Sequence, residues 1–543
     1  MGRSSLLHLL HESYTLHTPI FARAYDFVCP FCHTPAMQTT VACYTQGREG
    51  NAGSSPAAGE PPRPRPTLGL RRCRPYHDTS TRRQPMATRP AFLTTPFGGY
   101  YHREVPREDP ELTHVGPDTP CGEYLRRFWQ PICFTDELRD LPRRVTILGE
   151  ELVVFRTGGG AIGLLELHCP HRGTSLEFGL LSAQGIRCCY HGWLFGVDGT
   201  LLETPGEPAT STLKDRLCHG AYPTHEYQGI VFAYLGPPDT QPPFPIYDSF
   251  TRPGYRLIPG QKYYYPCNWL QILENAMDPV HTVFLHTIVS GSQFTDEFGK
   301  VPVLDFLETP IGMLYIATRR VGQHLWARMV EIVAPNLQQV APGWEDAHQV
   351  HPFSGPMLSR WIVPVDNTQT MFVEFRHVSE TAGVTPTWVA DRQVMLPGQL
   401  PETDSYEASQ RHPGDYEAQV GQRPIAIHGL EHLGATDRGV LLFRQYLRRG
   451  LRAVQAGRDP DGLIRDAGAI IPTYCNDTVV AVPPAPTPED DHHLMRATGR
   501  TLAESYLQHP PLVPRAVGDG VPPSRGHRPH KDRSPQRGRR TES

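Results

Sequence analysis

Four side chains able to bind metal, set in two short segments, restrict this chain more than any other feature. Cys169-Pro-His171-Arg-Gly and Cys188-Cys-Tyr-His191-Gly-Trp form a C-x-H pair and a C-x-x-H pair with sixteen residues between them. Two thiolates and two imidazoles on short loops can bind a structural zinc, or a [2Fe-2S] cluster in which His replaces Cys on one iron. An apolar, strand-like run leads into each segment. The surrounding residues 144–234 read as short strands with turn punctuation, as in R-V-T-I-L-G-E-E-L-V-V-F-R, G-L-L-E-L and G-I-V-F-A-Y-L-G, an all-β pattern.

A second constellation lies about ninety residues further on, in Asn268-Trp-Leu-Gln-Ile-Leu-Glu274-Asn275-Ala-Met-Asp278-Pro-Val-His281-Thr-Val-Phe-Leu-His286. On a regular helix two His five apart are separated by about 500°, or about 140° net, so both reach one ion only where the helix bends or ends. An isolated H-x4-H would otherwise be a pair of core histidines. Asp278 precedes His281 by three residues, where its carboxylate can accept a hydrogen bond from the imidazole. Glu274 fits either a supporting acid or a helix-surface charge.

The flanks decide between zinc and iron-sulfur. H-C-P-H-R-G-T-S-L and C-C-Y-H-G-W-L-F resemble the two loops of a Rieske iron-sulfur domain, whereas a zinc ribbon has no use for the H-R-G and H-G-W flanks. Thr174 and Tyr190 stand where respiratory Rieske proteins carry an extra disulfide, which points to the oxygenase or ferredoxin branch. Cys189 departs from the oxygenase pattern, which usually has Pro there; spacing makes Cys188 the ligand and Cys189 its neighbour. N-W-L-Q-x-L-E-N-x-x-D-x-x-H-x4-H then resembles the mononuclear iron motif of the Rieske aromatic-ring-hydroxylating oxygenases, alpha subunit, most closely the phthalate dioxygenase type. The resemblance covers residues 112–507.

That resemblance implies an α+β chain: a Rieske all-β domain, then a helix-grip catalytic domain of antiparallel sheet and helices. Cys169 and Cys188 would bind the buried iron of the cluster, and His171 and His191 the outer one. His281, His286 and a downstream carboxylate would hold a mononuclear Fe(II) as a two-His-one-carboxylate triad with positions open for dioxygen. Asp415, in G-D-Y-E-A-Q-V-G-Q-R-P-I, falls on the family's ligand position; Asp437, in E-H-L-G-A-T-D-R-G-V, is the alternative, expected instead to make a structural ion pair. By the same resemblance Asn275 lies near the iron, and Asp278 bridges to a cluster His of an adjacent subunit in a homotrimer or stacked trimers. The expected reaction is O2-dependent hydroxylation of an aromatic compound, by cis-dihydroxylation or by mono-oxygenation such as O-demethylation. Electrons from NADH would arrive through a separate flavin reductase, with or without a ferredoxin.

Composition frames the domains. Of 543 residues 56 are Pro and 49 Gly, about a fifth of the chain, so long loops or unstructured ends are expected. Residues 1–105 are expected to be a low-complexity extension, 106–245 the Rieske domain with its N-terminal helix, 246–508 the catalytic domain and 509–543 a disordered basic tail. Within these, helices are expected over about 122–129, 270–285 and 415–454, and the region 294–364 should line the substrate pocket. A net charge of −4 gives no reason to expect nucleic acid as a partner. No run approaches the 18 or so apolar residues of a membrane span, and the first residues make no convincing signal peptide, so a cytoplasmic protein is expected.

Three further patterns compete poorly. Gly158-Gly-Gly-Ala-Ile-Gly163 matches G-x-G-x-x-G but runs on into a strand, so a hairpin turn is expected. His428-Gly-Leu-Glu431-His432 matches the H-x-x-E-H of some zinc peptidases, yet Gly429 weakens the helix it needs. Cys29-Pro-Phe-Cys32 stands alone in the low-complexity extension. A Rieske electron carrier with an inert second domain is the non-enzyme alternative. The mixed Cys/His ligation predicts a red-brown protein with a Rieske visible spectrum and a potential in the range of about −150 to +300 mV; a colourless chain holding only zinc after anaerobic reconstitution would exclude the cluster.

Overall fold

Short antiparallel strands build the first half of the described chain. The computed structural model describes residues 93–101, 107–343, 347–381, 387–391, 394–395, 398–401 and 405–510. Residues 1–92 and 511–543, with the Cys29/Cys32 pair, lie outside these. Arg143–Ile147 and Glu150–Arg156 pair through Leu148 and Gly149, whose φ angles of 52° and 77° are the left-handed pair that a tight hairpin demands. Ile162–Glu166 extends this sheet; Gly158–Ala161 lies in its second hairpin turn, as expected, and Gly163 already pairs with Phe155 in the strand. A second antiparallel sheet joins Trp129–Phe134, Ile230–Tyr234 and Thr224–Tyr227, and a third the four short strands between Leu180 and Glu203.

The second half is one eight-stranded antiparallel sheet gripped by helices. Its strands run, in spatial order, Tyr255–Tyr265, Thr370–Ser379, Leu358–Pro364, Leu337–Val340, His324–Val333, Gly312–Val321 and Val303–Thr309, with Asn476–Ala481 also paired to His324–Val333. Near-continuous burial along the central strands shows that both faces are covered. The helix Pro488–Gln508, started by Pro488 and by Thr487 accepting from the Asp490 N–H, packs on Val303–Thr309 and Gly312–Val321. The two halves dock directly. Leu148 and Gly149 donate their N–H groups to the carbonyls of Pro364 and Val365 at 2.9 and 2.8 Å, Phe232 meets Trp361 edge-on at 5.3 Å, and Asn336 donates to Gln130 Oε1 at 2.8 Å. The α+β architecture is therefore as expected.

Helix boundaries depart from the sequence reading. The first spans Pro120–Leu125, and Trp129 already begins a strand. The second is Trp269–Asn275, capped by the Asn268 side chain; Pro279, which cannot supply a helical N–H, separates it from a second segment at His281. The third is two helices, Asp415–Val420 and Arg438–Gln455, because Gly421, Pro424, Gly429 and Gly434 interrupt the apolar period between them.

Glu274 is no surface charge. Arg444 from Arg438–Gln455 donates to both its oxygens at 2.5 and 2.8 Å and to both oxygens of Glu431 at 2.7 and 2.9 Å. One guanidinium thus ties two helical segments and the loop between Asp415–Val420 and Arg438–Gln455 together. Removing it would strand two largely buried carboxylates, so Arg444→Met should cost about 3–5 kcal/mol. Denaturant unfolding that shows a loss under about 1 kcal/mol would refute this role.

Candidate metal centres and cavity

The two Cys/His segments fold alike. In each, a glycine four residues after the cysteine has φ of +74°, and its N–H returns to the cysteine carbonyl: Gly173 to Cys169 at 2.9 Å and Gly192 to Cys188 at 3.1 Å. Each cysteine N–H then bonds across its loop, Cys169 to the Thr174 carbonyl and Cys188 to that of Trp193. Glycine is required at both turns because a side chain is strained there. That local demand explains the H-R-G and H-G-W flanks.

These turns bring the four side chains together. Cys169 and Cys188 are buried, while the His171 and His191 rings lie nearer the surface with centroids 4.4 Å apart. Trp193 stacks flat on His171, 7° from parallel at 4.5 Å, and fixes its plane. Arg187 holds the second loop by donating to the Gly192 carbonyl at 2.6 Å. Burial pushes the Cys169 thiol up to about 11, against the pull of the His171 N–H and with Cys188 adding to the rise. Two adjacent thiolates therefore need a cation between them, and His171 Nδ1 is buried without a hydrogen-bond partner. This donor set fits an iron-sulfur cluster. Cys189 points outward and is exposed, in line with its reading as a neighbour.

The second centre depends on a change of helix type. His281–Val283 begins as α-helix, and Phe284–Val289 continues as π-helix. The wider winding of i to i+5 bonding turns the chain less per residue, which reduces the offset that a regular helix would leave between His281 and His286. The His281 and His286 rings consequently sit 5.1 Å apart. Asp415, first residue of Asp415–Val420, comes from across the domain: its Oδ1 is 3.4 Å from His286 Nε2 and 3.9 Å from His281 Nε2. Donor atoms of all three lie within 4.8 Å of one another.

Oδ1 of Asp415 is buried and without a hydrogen bond, whereas Oδ2 accepts from Gln399 Nε2 at 2.5 Å. Burial raises the Asp415 carboxyl, but His286, His281 and Gln399 outweigh it and hold the group well below the usual carboxylate range. His286 Nδ1 bonds to Gln293 Oε1 at 2.6 Å; since that oxygen only accepts, Nδ1 carries the proton and the Nε2 lone pair is free for a metal. Two imidazole nitrogens and one anionic oxygen fit a divalent iron with further coordination positions open.

Other expected residues are placed as follows. Asn275 lines the adjoining cavity. His281 Nδ1 bonds to the backbone carbonyl of Asp278, not to its carboxylate, whose Oδ2 is 3.9 Å away. The carboxylate is otherwise engaged, Oδ1 accepting from the Val280 N–H at 3.0 Å. Asp437 stays outside the site and makes no ion pair among the described residues; it accepts from the Gly434 N–H at 2.6 Å, closing its own turn. Glu431 of the H-x-x-E-H pattern is spent on Arg444, and His428 Nδ1 accepts from the Asp109 N–H at 3.2 Å. Gln293 and Gln399 were not foreseen, because a loop glutamine carries no spacing signal.

A cavity of about 530 Å³ opens beside His281, His286 and Asp415. Phe294, Phe298, Val330, Val340, Leu358 and Phe372 supply much of its apolar wall. The expected stretch 294–364 contributes many lining residues, and Tyr255, Phe372, His377 and Gln399 add to it from outside.

Comparison with known proteins agrees with this geometry. Residues 128–214 match the family described as Rieske [2Fe-2S] domain. The chain is 41% identical over 441 residues to the oxygenase subunit of a tert-butanol monooxygenase / tert-amyl alcohol desaturase from Aquincola tertiaricarbonis, covering 76% of this chain and 92% of that one. It is 37% identical over 390 residues to the phenoxybenzoate dioxygenase alpha subunit of Ectopseudomonas oleovorans, covering 69% and 92%. Among solved structures, NdmA of Pseudomonas putida CBB5 with caffeine superposes with a TM-score of 0.50 at 18% identity, over 64% of this chain and 98% of that one.

Proposed function

The chain belongs to the Rieske non-haem iron oxygenases, and from that membership together with the geometry above we infer which residues carry the chemistry of an oxygenase component. Cys169 and Cys188 hold the inner iron of the [2Fe-2S] cluster, and His171 and His191 the outer one. His281, His286 and Asp415 hold the mononuclear Fe(II). The observation that carries this reading is the buried, unpartnered Oδ1 of Asp415 facing two imidazole nitrogens at the wall of the cavity. When bound, the iron supplies dioxygen activation and the cluster supplies electrons. The protein's own part is to orient the ligands through Gln293, Gln399 and the Asp278 carbonyl, and to hold substrate against an apolar wall. Residues 106–245 form the Rieske domain and 246–508 the catalytic domain.

An aromatic compound is the proposed substrate, hydroxylated by cis-dihydroxylation or mono-oxygenation. The cavity has the volume that encloses drug-sized ligands, and phenylalanines stand in its wall. A relative that acts on tert-butanol makes a compact tertiary alcohol the second reading. Supplying labelled dioxygen, a reductase and either a phenoxybenzoate or tert-butanol decides between them by which product carries the label. Electrons come from a separate NADH reductase, and Asp278, its side chain 32% exposed, is proposed to bridge to a cluster histidine of a neighbouring subunit in a trimer or stacked trimers. No helix among the described residues is long and apolar enough to cross a membrane. Apart from Cys169 and Cys188, six described cysteines form no disulfide, which suits a reducing cytoplasm.

Asp415→Ala should lose the mononuclear iron and all oxygenation while the Rieske spectrum persists, because two neutral ligands bind Fe(II) weakly. Asp437→Ala should keep it. Metal analysis then reads about two irons per chain for the first variant and about three for the second; the reverse pattern moves the ligand to Asp437. Asp278→Asn should leave both metal centres filled and lower turnover severely. Normal turnover in that variant, or an active monomer, would end the inter-subunit route.

A further inference from the structure

The amide of Gln399 has only one orientation that satisfies its neighbours. Arg360 Nη1 donates to Oε1 at 2.6 Å and the Tyr263 hydroxyl does so at 3.1 Å, while Nε2 faces Oδ2 of Asp415, which only accepts. Arg360 is itself held near Glu374 at 3.5 Å, and the Tyr265 hydroxyl bonds to the Gln399 carbonyl. All of these side chains are buried. The backbone is equally constrained. Gly398 has φ of +69°, and a Cβ there would meet Gln293 Oε1, the partner of His286, at 2.8 Å; a Cβ on Gly414 would meet the Gly398 carbonyl at 2.4 Å. The Gly398-Gln399 turn is thus wedged between the group that orients His286 and the residue that precedes Asp415.

We propose that Gln399 is a positioning residue that pins Oδ2 of Asp415, so that Oδ1 is the only carboxylate oxygen presented to the iron site. A carboxylate with one oxygen bound to an amide donor can offer a metal a single strong bond. Both oxygens together would occupy one more coordination position. Gln399 would therefore keep a position open for dioxygen or substrate, acting through Asp415. The tyrosines and Arg360 stop the amide from rotating, which would turn its oxygen against the carboxylate.

This inference rests on the reading of His281, His286 and Asp415 as iron ligands, and its test separates the two. Gln399→Met keeps length and bulk but removes the donor. In the purified holoenzyme, Fe(II) retention against a chelator and the electron paramagnetic resonance spectrum with nitric oxide as probe are compared with those of the parent. The expected result is a 10- to 100-fold weaker hold on the mononuclear iron, the usual cost of removing a partner of a metal ligand. The nitrosyl spectrum should change in rhombicity while the Rieske absorption stays unchanged. A destabilised but normally coordinated protein would not move that spectrum. If Gln399→Met fails to assemble the cluster, Tyr263→Phe carries the same test, with a smaller change in the same direction. Iron retention within twofold of the parent and superimposable nitrosyl spectra, in whichever variant folds, would overturn the positioning role. A parent with only two irons per chain would instead overturn the ligand assignment itself.

Discussion

Two imidazoles five residues apart can serve one ion only if the helix that carries them is not a regular α-helix. The site in this protein depends on that constraint. The π-helical stretch Phe284–Val289 meets it, and the chain around it is built to hold the irregular turn in place. Thr282 donates its hydroxyl to the Pro279 carbonyl at 2.8 Å and accepts from Arg319 Nη2 at 2.9 Å; Thr287 donates to the Thr282 carbonyl at 3.2 Å. Gln293 closes the far end, its N–H on the His286 carbonyl at 3.0 Å and its side chain on the His286 ring. The large sheet supplies Arg319, from the strand Gly312–Val321, and so ties the turn to the core of the domain.

Charge is distributed to the same end. The anionic Asp415 is surrounded by groups that favour its ionised form, and only one of its oxygens is left without a hydrogen bond. Glu274 is paired differently, with both of its oxygens bonded to Arg444. Asp248 and Asp477 also carry a buried oxygen without a hydrogen bond, so what distinguishes the metal-binding position is that the bare Oδ1 of Asp415 faces two imidazole nitrogens at 3.4 and 3.9 Å. The trio Glu274, His428 and Glu431 has metal-like spacing too, but Arg444 already occupies both of its carboxylates.

The Rieske loops reach the same end by repetition. Each uses a cysteine, a histidine and a left-handed glycine in a five-residue turn, although the histidine stands at a different place in each. The shared glycine spacing lets two unlike sequences present equivalent thiols. Trp193 then sets one imidazole plane by stacking, a task that hydrogen bonds perform at the mononuclear site.

What the sequence determined was local. The C-x-H, C-x-x-H and H-x4-H spacings are local and stand in the chain itself, but reading them as metal centres took their resemblance to the Rieske oxygenase motifs, since an isolated H-x4-H fits a pair of core histidines. The alternating apolar strands likewise revealed the all-β first domain. Helix extents were less legible, because Pro279, Pro424 and the neighbouring glycines interrupt periods that otherwise read as continuous. Whether Asp415 or Asp437 meets the histidines, whether Glu274 faces solvent or Arg444, and that Gln293 and Gln399 brace the site were decided only by tertiary structure. The contacts of Asp415 with His286 and of Glu274 with Arg444 join segments more than a hundred residues apart in the chain. Their distances depend on how the sheet twists and where its loops land, and no spacing along the chain encodes that.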